Sequence, residues 1–159
     1  MKILVVSDTH GRIENLRRAI QIEHPFDLLL HCGDIEGDEG KIHLIAETPC
    51  FMVSGNNDLF TDLPRELEFQ ITDRRAFLTH GHHYYVYMDT ERLLREALSR
   101  KASFAFFGHT HKPLAKSQKG VWLVNPGSLS YPRQEGRRPS YITMEIDYAK
   151  EPIFQIKYL

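Results

Sequence analysis

Residues 3–10 read Ile3-Leu4-Val5-Val6-Ser7-Asp8-Thr9-His10, an apolar run that passes directly into a polar turn. The apolar half is continuous and rich in β-branched side chains, as in strands that are covered on both faces of a sheet. The polar half places a carboxylate, Asp8, and an imidazole, His10, just beyond the carboxyl end of that strand. This junction predicts an α/β fold in which ligand-type side chains gather at strand ends.

The first half of the chain repeats this junction twice. The two further strands and their turns are Asp27 to Cys32 with Gly33-Asp34, and Cys50 to Val53 with Gly55-Asn56-Asn57-Asp58. A helix is predicted from Glu14 to Glu23, and a second helix ends near Glu47. One face of the first helix carries, at helical spacing, Leu16, Ala19, Ile20 and Glu23. This order is a β-α-β-α beginning.

The second half is richer in strands and has one clear helix, which follows Thr90. Its predicted strands are Glu66 to Ile71, Arg74 to Thr79, Phe104 to Phe107, Val121 to Val124, Tyr141 to Ile146 and Ile153 to Tyr158. Early alternation followed by strands suggests an α/β sandwich, with sheets packed together and helices outside. A chain of 159 residues suits one domain, which we place at 1–159.

Composition excludes several classes of protein. The net charge of −1 gives no overall basic footprint, which argues against nucleic acid or an anionic membrane as a partner. No apolar run approaches the roughly eighteen residues of a membrane span, and the first apolar run is too short for a signal peptide. Cys32 and Cys50 match no CxxC pattern and suit reduced thiols. We expect a cytoplasmic protein.

Ligand-type residues occur in five short segments, each at the end of an apolar run. The segments are Asp8-Thr9-His10, Gly33-Asp34, Asn56-Asn57-Asp58, His80-Gly81-His82 and His109-Thr110-His111. Any one of them could be an ordinary turn, but together they predict a two-metal hydrolase site. Carboxylates and imidazoles without thiolates suit Mn, Fe, Zn, Co or Ni. Asp34 is the natural bridge between two ions, because its own segment supplies no second ligand.

These segments resemble, in type and order, the motifs of the calcineurin-like metallophosphoesterases, and the short chain resembles the small YfcE-like phosphodiesterases of that superfamily. The resemblance implies a four-layer α/β/β/α sandwich and two divalent metal ions, of which manganese is the first candidate. It implies that one ion is held by Asp8, His10, Asp34 and His111. It implies that the other is held by Asp34, Asn56, His80 and His109. The expected reaction is hydrolysis of a phosphodiester by a hydroxide that bridges the ions.

The sequence departs from this pattern at Asn57, where many members have a histidine that is thought to protonate the leaving group. An amide cannot supply that proton, so activity should be biased toward activated or particular diesters. Asn57 could instead donate a hydrogen bond to a phosphoryl oxygen. His82, two residues beyond His80, could be a substitute acid or a phosphate contact.

Other interpretations stay open at this level. The same fold could serve as a nonenzymatic metal-binding scaffold, like the retromer scaffold subunit, although that subunit departs from the full ligand set. The substrate is a phosphate ester in the enzyme interpretation, and the resemblance suggests homo-oligomers. Three arginines follow Asn125-Pro126-Gly127-Ser128, at positions where they could meet substrate phosphate or simply be solvated: Arg133, Arg137 and Arg138.

Overall fold

The structure is a computed structural model, and it describes residues 1–148 and 150–159. In chain order its elements are β1 (Lys2–Val6), α1 (Glu14–Glu23), β2 (Leu28–His31), α2 (Glu39–Ala46), β3 (Cys50–Met52), β4 (Glu66–Ile71), β5 (Arg74–Thr79), a 3₁₀ turn (His82–Tyr84), α3 (Glu91–Ser99), β6 (Phe104–Phe106), β7 (Pro113–Gln118), β8 (Val121–Pro126), β9 (Ser140–Glu145) and β10 (Ile153–Tyr158). The strands form two five-stranded sheets, ordered β10-β9-β1-β2-β3 and β4-β5-β6-β8-β7.

Strand β1 is buried on both faces, as its continuous apolar sequence predicts. Ile3 and Val5 pack into the cluster between the two sheets, whereas Leu4 and Val6 pack toward α1 and α2. Each such side chain stabilises the fold by roughly 1.5 to 3 kcal/mol when it leaves water. On the far side, α3 covers the second sheet with Leu93, Leu94 and Ala97. Helices, sheet, sheet and helix therefore form the predicted four-layer sandwich.

Parallel pairing brings the polar turns together. Strands β1, β2 and β3 run parallel, and so do β5, β6 and β8. Their carboxyl ends meet along one edge of the sandwich, where the Gly108 N–H donates to the His80 carbonyl at 3.1 Å and the His109 N–H donates to Asp8 Oδ2 at 3.2 Å. The second of these bonds joins a loop of one sheet to a loop of the other.

The structure differs from the sequence prediction at a few elements. Strand β7 was not predicted, because it begins at a proline and shows no apolar alternation; among the described strands it is an edge strand paired with β8. The helix after Thr90 begins as expected, and Asp89 Oδ1 accepts the N–H of its first residue, Glu91. Within the described residues, no helix is long and apolar enough to cross a membrane.

Glu23 is a charged residue on the buried face of α1. Only 2% of the surface of Glu23 is exposed, and its carboxylate accepts a hydrogen bond from the Tyr141 hydroxyl at 2.8 Å. The ammonium groups of Lys157 and Lys2 approach it at 2.9 and 3.0 Å. Burial raises the pKa of Glu23, but the bonds from Lys157, Tyr141 and Lys2 outweigh it and leave the pKa below the ordinary 4.5. This carboxylate ties α1 to β1, β9 and β10.

We predict that Glu23→Gln lowers the free energy of unfolding at pH 7 by roughly 2 kcal/mol, because hydrogen bonds to a charged group are lost. A lowered pKa stabilises the fold above the unfolded-state value, and that stabilisation disappears as pH falls through the folded-state value. Urea unfolding should therefore show the difference from wild type shrinking below about pH 4. Glu151→Gln, at an exposed pair with Arg74, is the control and should change little. A difference that stays constant from pH 7 to pH 3 would contradict this account.

Candidate metal centre

The predicted ligands converge where the two sets of parallel strands end. Asp8 and His10 follow β1, Asp34 follows β2, and Asn56 follows β3. His80 follows β5, and His109 and His111 follow β6. Asp8, Asp34, His80 and His111 are each at most 4% exposed. Charged and imidazole groups at this depth need partners, so the site is built to hold charge.

The backbone at the ligands is strained. Left-handed φ values between 48° and 67° occur at Asp8, His10, Asp34, His109 and His111. Each such residue costs on the order of 1 kcal/mol relative to ordinary backbone, and persists only where neighbouring structure holds it. The Asp8 N–H donates to the Gly33 carbonyl at 3.0 Å, and the His10 N–H donates to the Asp34 carbonyl at 2.9 Å. The loops after β1 and β2 thus hold one another in place.

Four of the predicted ligands form a compact cluster. One ligand atom from each of Asp8, His10, Asp34 and His111 lies within 4.8 Å of the other three. These are the four residues that the resemblance assigns to one ion. The cluster contains two carboxylates and two imidazoles, a donor set that suits a divalent transition metal.

Three histidines are oriented by their Nδ1 atoms. His10 Nδ1 donates to Glu36 Oε1, His80 Nδ1 to the Cys32 carbonyl, and His111 Nδ1 to the Tyr131 carbonyl, each at 2.7 Å. Because these oxygens can only accept, Nδ1 carries the proton in each ring. Each ring therefore turns its Nε2 atom, the atom that can offer a lone pair to a metal ion, toward the site.

Those lone pairs face oxygen atoms that also carry lone pairs. His111 Nε2 lies 3.0 Å from Asp8 Oδ1, and His80 Nε2 lies 3.1 Å from Asn56 Oδ1 and 3.5 Å from Asp34 Oδ2. His10 Nε2 lies 3.9 Å from Asp8 Oδ1 and 3.8 Å from Asp34 Oδ2. Two acceptors that face each other need a cation between them, either a proton or a metal ion.

Two of these atoms are buried without a hydrogen-bond partner in the described part of the chain: Asp8 Oδ1 and His10 Nε2. A buried unpaired carboxylate oxygen or imidazole nitrogen costs free energy unless something binds it. A metal ion coordinated by both atoms would remove that cost. The residues present therefore fit the metal that the sequence predicts at this position.

The second predicted set is partly assembled. Asp34, Asn56 and His80 are in the contacts given above, and the His109 ring lies beside His80 with centroids 5.1 Å apart. Asp34 contributes to both sets, as expected for a bridge. Burial raises the pKa of Asp34, but hydrogen bonds and charge from His80, and then bonds from Asn57, hold it well below its usual range. Asp34 is thus an anionic ligand at neutral pH.

Asn57 contacts the proposed bridge directly. Its side-chain amide donates to Asp34 Oδ2 at 2.7 Å, and its backbone N–H donates to Asp34 Oδ1 at 2.9 Å. The sequence suggested a hydrogen bond from this amide to a phosphoryl oxygen. In the structure the amide is committed to Asp34, and Asn57 also lines the cleft above it.

His82 lies to one side of the cleft. Its ring is 5.4 Å from His80 and 6.0 Å from His109, and it borders a neighbouring pocket beside Asn56. Burial, followed by the charge of His80, lowers the pKa of His82 to about 4. The role of His82 as a substitute acid or a phosphate contact stays a prediction.

An open cleft of about 680 Å³ lies over the cluster. It is lined by His10, Asp34, Asn56, Asn57, His109, His111, Ser130, Tyr131, Pro132, Arg133 and Arg137. This volume is within the range of small-molecule sites. The predicted ligands therefore open onto a space that a phosphate ester could enter.

Some positioning groups were not found from the sequence. Glu36 holds His10, and a signal was available, since it follows Asp34 by two residues in the same loop. Asp58, the last residue of the segment Asn56-Asn57-Asp58, accepts the N–H groups of Ile35, Glu36 and Gly55 at 2.6 to 2.9 Å. The Tyr131 and Cys32 carbonyls had no sequence signal, because every residue has a carbonyl.

Comparison with known proteins identifies the family of this chain. The model of the calcineurin-like phosphoesterase superfamily domain matches residues 1–149. The chain therefore belongs to the calcineurin-like phosphoesterase superfamily. It is 34% identical over 152 residues to the probable metallophosphoesterase YsnB of Bacillus subtilis, covering 94% of this chain and 88% of the relative. It is 28% identical over 172 residues to the phosphodiesterase YfcE of Escherichia coli, covering 92% and 89%.

Solved structures share the fold. A predicted phosphoesterase from Streptococcus pneumoniae superimposes with a TM-score of 0.81 at 25% identity, covering 98% of this chain and 97% of that one. Vps29 of Entamoeba histolytica, solved with zinc, superimposes with a TM-score of 0.78 at 21% identity, covering 99% of each chain. The second likeness shows the fold alone. The predicted superfamily, its small YfcE-like branch and the predicted sandwich are confirmed.

We predict that Gly55→Ala weakens metal binding at the cluster. A β-carbon on Gly55 would overlap Asp34 Oδ1 and crowd the Asp34 backbone nitrogen, so the carboxylate must move. Binding of Mn²⁺ by calorimetry should weaken at least tenfold, the scale expected when a ligand's supporting contacts are disturbed. Gly40→Ala, where nothing lies within 4 Å of the added carbon, is the matched control. Unchanged affinity in a folded Gly55→Ala protein would refute the placement of Asp34.

Proposed function

We propose that this protein is a dinuclear metal-dependent phosphodiesterase. The observation that carries the proposal is the set of imidazole lone pairs from His10, His80 and His111, which face the oxygens of Asp8, Asp34 and Asn56. Such an arrangement suits metal ions, and the superfamily to which the chain belongs acts on phosphate esters. The chain is thus best understood as a phosphoesterase whose metal centre sits beneath an open cleft.

The proposed ligands divide into two sets that share one residue. Asp8, His10, Asp34 and His111 would hold the first ion, and their clustering within 4.8 Å supports this set. The second ion would be held by Asp34, Asn56, His80 and His109. When bound, such a pair of ions lowers the pKa of a shared water to supply a bridging hydroxide, and stabilises charge on the phosphoryl group.

The protein's own residues orient the centre and admit the substrate. Asn57 holds the Asp34 carboxylate through two hydrogen bonds, and Glu36 fixes the His10 ring. The Asn57 amide offers no proton to a departing alkoxide, and His82 is proposed as a substitute acid or a phosphate contact. We therefore propose that diesters whose leaving groups are stable as anions are hydrolysed faster than those with poor leaving groups.

The metal, the type of phosphate ester and the location of the protein are proposed from different observations. Manganese is the first candidate metal, with Fe, Zn, Ni and Co as alternatives, because mixed oxygen and nitrogen ligands accept all of these ions. The preference for diesters is supported by the relative named phosphodiesterase YfcE. A cytoplasmic location is supported by the two free cysteines, Cys32 and Cys50. Self-association and the absence of a nucleic-acid partner stay predictions.

The second candidate is a nonenzymatic metal-binding scaffold on the same fold. Vps29 shares the architecture at 21% identity, a likeness that shows the fold alone. The complete predicted ligand set in this chain and its open cleft favour the enzyme. The two candidates differ in one measurable property, since a scaffold would bind metal without turnover.

The enzyme proposal is tested by metal analysis and by hydrolysis of 4-nitrophenyl monoester and bis(4-nitrophenyl) phosphate with added Mn²⁺. We predict two ions per chain, metal-dependent turnover and faster hydrolysis of the diester. Asp34→Ala should lower kcat/KM by at least a thousandfold, because removing a bridging ligand disturbs both ions at once. Asp73→Ala, at an exposed turn away from the cleft, should behave like wild type. Binding without turnover would favour the scaffold, and full activity in Asp34→Ala would overturn the proposed centre.

A further prediction concerns the missing acid. Asn57→His should accelerate a diester with a phenyl leaving group relative to one with a 4-nitrophenyl leaving group by about tenfold or more, because general acid catalysis helps poor leaving groups most. Asn57→Ala controls for loss of the bond to Asp34 and should lower both rates together. If Asn57→His leaves the ratio of the two rates unchanged, position 57 is not what sets the leaving-group preference.

A further inference from the structure

The loop after β8 carries three arginines whose surroundings differ. Arg138 Nε and Nη2 donate to the carbonyls of Leu159 and Tyr158 at 3.4 and 3.5 Å, and its guanidinium lies 5.4 Å from the centre of the Tyr158 ring. Across the described residues, the side chains of Arg133 and Arg137 make no hydrogen bond and no salt bridge. Both side chains line the cleft over the cluster of predicted metal ligands. Arg138 thus stabilises the C-terminal strand. The guanidinium groups of Arg133 and Arg137 instead line the cleft and are uncommitted, in that neither is bonded to another side chain or carbonyl of the described residues.

The loop that carries these two arginines is anchored to the metal centre. The Tyr131 carbonyl accepts a hydrogen bond from His111 Nδ1, and the Arg133 N–H donates to the His111 carbonyl at 3.0 Å. The Tyr131 ring packs on His10 with centroids 5.1 Å apart, and the Arg12 guanidinium lies 4.8 Å from the centre of that ring. The start of the loop therefore has a defined position relative to the predicted ligands His10 and His111.

Depth separates the arginines from the predicted metal ligands. Asp34 and His111 are buried at the floor of the cleft, whereas Arg133 and Arg137 are exposed at its rim. Arg137 is presented by a turn in which its N–H donates to the Gln134 carbonyl at 3.1 Å. A phosphoryl group on the ions would sit at the floor, so the rim arginines would meet a different part of the substrate.

Two uncommitted guanidinium groups at the rim of the proposed metal site point to a second anion. Arginine is permanently charged, and its planar fork matches the oxygens of a phosphate. We propose that Arg133 and Arg137 form a distal phosphate subsite, and that preferred substrates are phosphodiesters that carry a phosphomonoester beyond the scissile bond. This inference rests on the proposed phosphodiesterase function and names the substrate class for that site.

The test compares two substrates that differ only in a distal phosphate: thymidine 5′-(4-nitrophenyl phosphate) and its 3′-phosphorylated counterpart. For the Mn²⁺-loaded wild-type protein, the 3′-phosphate should raise kcat/KM about tenfold or more, mainly through KM, as one good charge-assisted contact would. In Arg133→Gln/Arg137→Gln this advantage should fall to about one. Arg138→Gln, from the same loop but bonded to the C-terminal strand, should keep the wild-type ratio.

Three results would overturn the subsite: no advantage of the 3′-phosphate in the wild-type protein, an advantage that survives in the double variant, or an equal loss on both substrates. The last result would place the arginines on the scissile phosphate itself. Failure of the proposed function would look different, as neither substrate would be hydrolysed by any variant. In that case calorimetry with thymidine 3′,5′-bisphosphate and thymidine 5′-monophosphate decides the matter, since the subsite predicts tighter binding of the bisphosphate that the double variant loses.

Discussion

Asp34 places its carboxylate where the loops of the two sheets meet, and the geometry of the centre depends on how that charge is held. Asn57 donates to both of its oxygens, while His80 and His10 face it from the second and the first sheet at 3.5 and 3.8 Å. A buried carboxylate with imidazole lone pairs around it is unfavourable without a cation. We propose that metal ions meet this constraint, because Asp8 Oδ1 and His10 Nε2 also lack hydrogen-bond partners within the described chain.

The direction of the strands in the sandwich brings the loops of the two sheets together. Each sheet contains three mutually parallel strands, so the loops after those strands collect on one edge. The core between the sheets, with Ile3, Val5, Phe104 and Phe106, fixes the separation of the two sets of loops. The strained backbone at the predicted ligands persists because the packed core and the hydrogen bonds between loops hold it in place. Stability of the core and function of the edge are thus linked through strand direction.

Most of this arrangement was predictable, because each ligand follows an apolar run that is itself a strong strand signal. Residues such as Asp8 and Asp34 become informative once parallel strands place their turns together. The sequence did not reveal which carbonyls orient the histidines, since the Tyr131 and Cys32 carbonyls look like any other. The sequence also could not distinguish the role of Arg138, which is bound to the C-terminal strand, from that of Arg133 and Arg137, which line the cleft. Those distinctions depend on tertiary contacts between residues distant in sequence.

We propose that Asp34 is shared by two metal ions, and anomalous diffraction from Mn²⁺-soaked crystals tests this sharing most directly. The account predicts two anomalous peaks roughly 3.5 to 4 Å apart, with Asp34 in contact with both. His111 should contact one peak and His109 the other. A single peak at saturating Mn²⁺, or two peaks of which only one touches Asp34, would contradict the dinuclear centre.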